Sequence, residues 1–216
     1  MYSLRAMRRL KPDRVPEDVI WKVLEAATMA PSGGNSQPWR FLVVQDPELK
    51  RFVQERYLRV LRVYLQASIE AASRRATPSS PAEAERQMRT GRAALHLGEH
   101  LHEAPLLLLV CMLPRDLALL SDAQGNQRGA ALYSSIFPAV QNVLLACRAL
   151  GLGATLTTLH LAFEAEIKER LGIPPEVETV ALVPIGYPVG RFGPTSRAPV
   201  EEVTYWDGWN QLRARR

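Results

Sequence analysis

The chain has 216 residues, 47% hydrophobic and 23% charged, with a mean hydropathy of -0.11. That length suits one substantial domain or at most two small ones, and that composition describes a soluble globular protein rather than a disordered or membrane one. The formal charge of +5 and pI near 9.5 raise nucleic acid as a partner. Yet two short basic clusters stand at the chain ends, Arg5 to Arg14, which lacks interleaved aromatics, and Arg213 to Arg216, which reads as a solvated tail. The first run suits a small anion better than a polyanion track, so no nucleic-acid partner is expected.

No apolar run approaches the ~20 residues of a membrane helix. No apolar stretch follows the basic opening, so neither a membrane nor a secretory signal is expected and the default compartment is cytoplasmic. Cys111 and Cys147 lie inside apolar patterns and read as buried, reduced thiols.

In chain order, Pro16 to Thr28 reads as a helix, with Pro16 in its first turn, acids following, and Ile20, Val23, Leu24 and Ala27 at helical spacing. The breaker cluster Ala30-Pro-Ser-Gly-Gly-Asn ends it, and Arg40 to Gln45 reads as a short buried strand. Asp46-Pro47 is a helix start with Asp46 as N-cap, and Leu49, Phe52, Val53, Val60, Leu61 and Tyr64 line one face of a long helix. The pattern lapses around 76–81, a candidate mobile lid. Leu106 to Leu113 has the length of a buried strand, and the stretch 121–129 is again polar.

Tyr133 to Leu150 reads as a helix apolar nearly all round, hence buried on most sides. A Thr-rich segment (154–158), a helix near 162–171 and a strand Val177 to Ile185 follow. The remainder, from Gly186, has little periodicity and reads as an extended arm that covers another subunit. With no repeat and no linker between cores, the expectation is a single α+β domain over 1–216.

Chemistry has few visible carriers. There is no GxGxxG, no GxxxxGK[ST] and no GxSxG. His96 and His100 stand at i, i+4 but lack an acidic third ligand at a recognisable spacing, so no metal is expected. A chain without a nucleophile, metal or acid pair either is not an enzyme or takes its chemistry from a cofactor.

Three segments favour a cofactor. Arg5 and Arg8, spaced by three, can place two guanidinium forks around one phosphate. The glycines of Pro31-Ser-Gly-Gly-Asn, Gly33 among them, bring backbone N–H groups close to a ligand, with Ser32, Asn35 and Gln37 adding polar contacts. Gly151 to Leu159 offers small residues and backbone to a planar ring.

With "RAMRRLKPDRVP", "APSGGNSQPWRFLVV", "ALGLGATLTT" and "VALVPIGYPVGRFGPTSRAPVEEV" in this order, the chain resembles the nitroreductase family over nearly its whole length, least so from about 55 to 130. The resemblance implies an α+β fold with a central mixed sheet flanked by helices. It also implies a homodimer with FMN bound between subunits and a C-terminal arm wrapping the partner.

By position it implies Arg5, Ala6, Arg8, Arg9 and Arg197 at the phosphate end, and Pro31, Ser32, Gly33 and Asn35 approaching from the partner. Leu156, Thr157, Thr158 and Leu159 would line the flavin ring. Ala6 stands where such proteins often carry Ser, which removes one phosphate hydrogen bond worth roughly 0.5–1.5 kcal/mol.

The implied activity is ping-pong hydride transfer from NADPH or NADH, through flavin N5, to a nitroaromatic, quinone, enone or halogenated phenol. No side chain acts as a catalytic acid. The alternative is a flavin-binding or flavin-consuming protein on the same fold that NAD(P)H does not reduce. His160 either reaches the pocket or is structural.

Overall fold

A computed structural model describes residues 1–74, 81–113 and 133–213. The expected lid at 76–81 and the polar stretch 121–129 thus lie outside the described residues, except for Pro81, which opens a helix. The described chain divides into two compact units, Ala6–Arg191, and Met1–Arg5 with Phe192–Arg216.

Among the described residues of the larger unit, five α-helices surround a four-stranded sheet. These are α1 (Glu17–Thr28), α2 (Pro47–Arg74), α3 (Pro81–His100), α4 (Phe137–Ala149) and α5 (Glu164–Leu171). The strands are β1 (Trp39–Val44), β2 (Leu106–Met112), β3 (Gly153–Ala154) and β4 (Glu178–Gly186), in the order β1-β2-β4-β3. Every described pairing is antiparallel, where a mixed sheet was expected.

The all-apolar β2 is buried along its full length because helices cover both faces of the sheet. Leu106, Leu108, Val110 and Met112 face α1 and α4, while Leu107, Leu109 and Cys111 face α2 and α5. Alternation of side chains across the pleat sorts one apolar run into two cores.

Asp46 caps α2 as expected, its Oδ1 accepting from the N–H groups of Glu48 and Leu49 at 2.9 Å. Val53, Tyr57 and Leu61 then recur every fourth residue on the buried face. Helix α3 has no strong apolar stripe, and its sequence signal was too weak to predict it.

The helix expected over 133–150 is shorter, since Tyr133 to Ile136 form a turn before Pro138 in the first helical turn. It is also less buried than expected. Of its residues Ala139, Val140, Val143 and Cys147 are fully covered, packed in one core with α1 and the sheet.

On the β3 side of the sheet, Gly153↔Gly186, Ala154↔Ile185 and Thr157↔Leu182 share one register. The position opposite Thr155 on that diagonal is Pro184, which has no N–H to donate. The edge strand therefore opens at Thr155 and Leu156 and closes again at Thr157.

Candidate functional site

The site residues of the larger unit are placed by backbone pairing. Met7 N donates to the Ala154 carbonyl (3.0 Å), Lys11 N to that of Tyr187 (2.7 Å) and Val189 N to that of Arg9 (3.0 Å). This stitching buries Met7 and leaves Ala6 and Arg9 exposed and Arg8 half-buried between them. It requires Gly153, since a Cβ there would meet Met7 Cβ and Leu10 Cδ2 at 2.9 Å. The small residue at 153 thus makes room for the N-terminal segment of this chain.

Arg8 faces α2. Its charge favours ionisation of Tyr57, although burial dominates and holds that phenol above its ordinary range. The Tyr57 hydroxyl lies 3.1 Å from Thr157 Oγ1, and Leu159 N points at the same oxygen from 3.4 Å. Thr157 is further held by reciprocal 2.9 Å backbone bonds with Leu182. Leu156 and Thr158 are exposed, Thr157 and Leu159 half-buried. The structure therefore joins α2 to the 156–159 segment through Tyr57, a residue sequence reasoning did not select. Its only signal was a phenol on the buried stripe of α2.

His160 follows directly and is fully buried, with neither ring nitrogen bonded. Its pKa is pushed down to about 4, chiefly by burial, with Glu164 opposing. A neutral, enclosed imidazole fits the structural reading.

The loop Pro31 to Gln37 lies at the other end of the sheet. It leads into Trp39, which pairs with Met112, whereas the Arg8 segment sits beyond Leu106 and Ile185. Gly34, Asn35 and Gln37 have φ of 56°, 54° and 48°, a strained run for two non-glycine residues. Ser32 Oγ accepts from Gln37 N (3.1 Å), Asn35 Oδ1 from Gln37 Nε2 (3.2 Å), and Ser135 Oγ from Gly33 N (3.0 Å). Ser135 is the loop's second anchor that the sequence did not reveal. Gly33 is not required by this fold, because the nearest atom to a Cβ there is Ser135 Oγ at 3.8 Å.

Arg5 and Arg197 both belong to the smaller unit. There Thr195 donates to the Tyr2 carbonyl from its N (3.0 Å) and its Oγ1 (3.2 Å), tying the two chain ends together. Both arginines are exposed, and Arg197 turns one guanidinium N–H onto the Ser196 carbonyl (2.7 Å). The arm holds one short helical turn, Val200–Val203, and otherwise exposes Val200, Val203, Trp206, Trp209 and Leu212.

Cys111 and Cys147 are free and buried, which pushes their thiols up to about 11 and about 12. Among the described residues no His, Cys, Asp and Glu cluster could hold a metal, and no helix is long and apolar enough to cross a membrane.

Residues 3–187 match the model of the nitroreductase family. The chain belongs to the nitroreductase family. This nitroreductase-family protein is 31% identical over 204 residues to an NADH dehydrogenase of Thermus thermophilus, covering 94% of this chain and 91% of that one. It is 30% identical over 191 residues to the iodotyrosine deiodinase of Drosophila melanogaster, covering 87% of this chain but only 61% of the deiodinase. Among solved structures, oxidised iodotyrosine deiodinase bound to FMN and 3-iodo-L-tyrosine superposes with a TM-score of 0.66 at 25% identity, over 91% of this chain and 92% of that one.

Proposed function

We propose that this chain is an FMN-dependent oxidoreductase that takes hydride from NADH or NADPH and reduces a small acceptor such as a nitroaromatic or a quinone. The observation that carries this reading is Arg8. It is half-buried, makes no ion pair among the described residues, follows Met7, which bonds Ala154 just ahead of the Thr157 segment, and acts electrostatically on Tyr57. A partly desolvated guanidinium without a carboxylate is suited to an external anion such as a phosphate.

The donor set fits FMN. Arg8 and Arg9 would hold the phosphate, beside Ala6. Leu156, Thr157, Thr158 and Leu159 would line the ring, where the ladder opened by Pro184 leaves Leu156 exposed. Pro31, Ser32, Gly33 and Asn35 would approach it from a second chain. The glycine at 33, which the chain's own fold does not need, supports a close approach by something external. Arg5 and Arg197 are proposed for the phosphate on the resemblance alone. When bound, the flavin supplies the hydride acceptor and donor, and the protein supplies anchoring and electrostatics.

A homodimer is part of this reading. The Arg8 segment and the 31–37 loop of one chain are separated by the length of β2, seven residues, or about 20 Å along the sheet. A compact site using both would draw one from each of two chains. Exposed Met29 and Leu150, which line a shallow cleft between α1 and α4, supply apolar surface for such an assembly.

The likeness to the NADH dehydrogenase supports a nicotinamide reductant. That to the deiodinase supports FMN and favours a second reading, in which the acceptor is a halogenated aromatic.

The deciding measurement is the visible spectrum of the purified protein with added FMN, before and after anaerobic NADH or NADPH. A yellow protein bleached by the nicotinamide is expected. A protein that takes up no FMN overturns the flavin reading, and one whose flavin NAD(P)H leaves oxidised overturns the reductase half. In the same titration Arg197→Ala is expected to weaken FMN binding by roughly 2–3 kcal/mol. Unchanged affinity would remove Arg197 from the site.

A further inference from the structure

We propose that Tyr57 is a positioning residue of the flavin site, its buried hydroxyl committed to Thr157 so that the Thr157 hydroxyl proton is left for a ligand beside Arg8. The inference rests on the flavin reading above and goes beyond it, because Tyr57 belongs to none of the segments that carry the family resemblance.

The argument is a count of donors and acceptors. Tyr57 is 3% exposed, and Thr157 is the one hydrogen-bond partner of its hydroxyl among the described residues. A buried hydroxyl proton without an acceptor costs about 1–3 kcal/mol, so the phenol donates and Thr157 Oγ1 accepts. Leu159 N–H is aimed at the same oxygen from 3.4 Å. A threonine oxygen has two lone pairs, and these two donors occupy both.

The remaining Thr157 proton then has no acceptor in either neighbour. The residue is half-buried at the rim of the opened edge strand, so the proton is free for an acceptor brought from outside. Backbone bonds to Leu182 on both sides hold the Thr157 main chain still, which leaves side-chain direction as the variable that Tyr57 controls.

Arg8 stands by the same edge segment, since its neighbour Met7 bonds the Ala154 carbonyl, three residues before Thr157, and its charge also reaches the Tyr57 phenol. One helix position thereby links the anchoring end of a ligand to the segment proposed to line its ring. The phenol keeps its proton at neutral pH because burial pushes its pKa up rather than down, so its role as donor persists across the working range.

The test is a mutant cycle on the full chain, read by FMN titration, by the midpoint potential of the bound flavin and by thermal melting without FMN. Tyr57→Phe keeps the ring and removes the donor. It is expected to melt close to the parent, to bind FMN roughly two- to tenfold more weakly, the span of one neutral hydrogen bond, and to lower the flavin potential. A donor aimed at the flavin favours its electron-rich reduced form.

Thr157→Val is expected to do the same and also to melt lower, since it strands the Tyr57 proton. The double variant should bind FMN no worse than Thr157→Val alone and recover part of its melting temperature. Thr157→Ser, which keeps the hydroxyl, should retain affinity and potential, and it preserves the test if the valine variant does not fold.

Parent affinity and potential in Tyr57→Phe, or strictly additive losses in the double variant, overturn the proposal. A parent protein that binds no FMN overturns instead the reading on which it rests.

Discussion

At the scale of single residues, burial without a partner is the strongest chemical signal in this chain, and it separates two histidine roles. His96 and His100 stack at 4.3 Å on the accessible side of α3, with His100 Nδ1 2.9 Å from Glu103 Oε1. His160, fully enclosed and unbonded, is held neutral by desolvation. Its folded pKa of about 4 lies below the unfolded value of 6.5, so the unfolded chain takes the proton first as pH falls. Its contribution is complete above the unfolded pKa and is lost as pH descends toward the folded one.

The expected outcome is a fall in unfolding free energy of about 2 kcal/mol between pH 7 and 5, read by chemical denaturation. That interval lies above the range of ordinary carboxylates. The dependence should shrink by about that amount in His160→Gln, leaving the contribution of His96, whose pKa burial also lowers. An equal slope in both proteins would mean that other groups carry it.

At the scale of elements, punctuation residues decided what hydrophobic period left open. Asp46 and Pro47 start α2 where the sequence placed them, and Gly172, at φ 65°, stops α5. Removing the cap in Asp46→Ala is expected to cost about 1 kcal/mol, seen as a lower melting temperature. FMN affinity should not change, because the cap lies nearly three turns before Tyr57. A variant that loses affinity as well would show that the register of α2 depends on its first turn.

Pro184 was equally visible in the sequence, but its effect was not. A proline within a strand is harmless or disruptive according to which neighbour its missing N–H faces. Only the pairing with β3 reveals that the gap falls opposite Thr155.

At the scale of the whole molecule, the separation of the Arg8 segment from the 31–37 loop predicts complementation between two damaged chains. Arg8→Ala and Gly33→Val should each form a homodimer that binds FMN poorly. Co-expressed and mixed, they should regain strong binding at one site per heterodimer, because one of the two shared sites receives an intact Arg8 from one chain and an intact Gly33 from the other. The readout is FMN stoichiometry on the isolated heterodimer. If both residues served a site within one chain, every site in the mixture would stay damaged and no binding would return.

The sequence alone determined the family, the α+β class and the main elements around its Pro, Gly and Asp punctuation, because these depend on local chemistry and on periods of two and 3.6 residues. It also pointed to Arg8 and to the Pro31 to Asn35 loop, since unusual residue types gather there.

Tertiary structure alone decided that the described sheet is antiparallel and that Gly153 is kept small by Met7 and Leu10. It also decided that Tyr57, 100 positions before Thr157, shares its hydrogen bond. Each of these is a contact between segments remote along the chain, and such contacts leave no imprint on local composition. A tyrosine on a buried stripe looks the same in sequence whether its hydroxyl meets a threonine or a bound water.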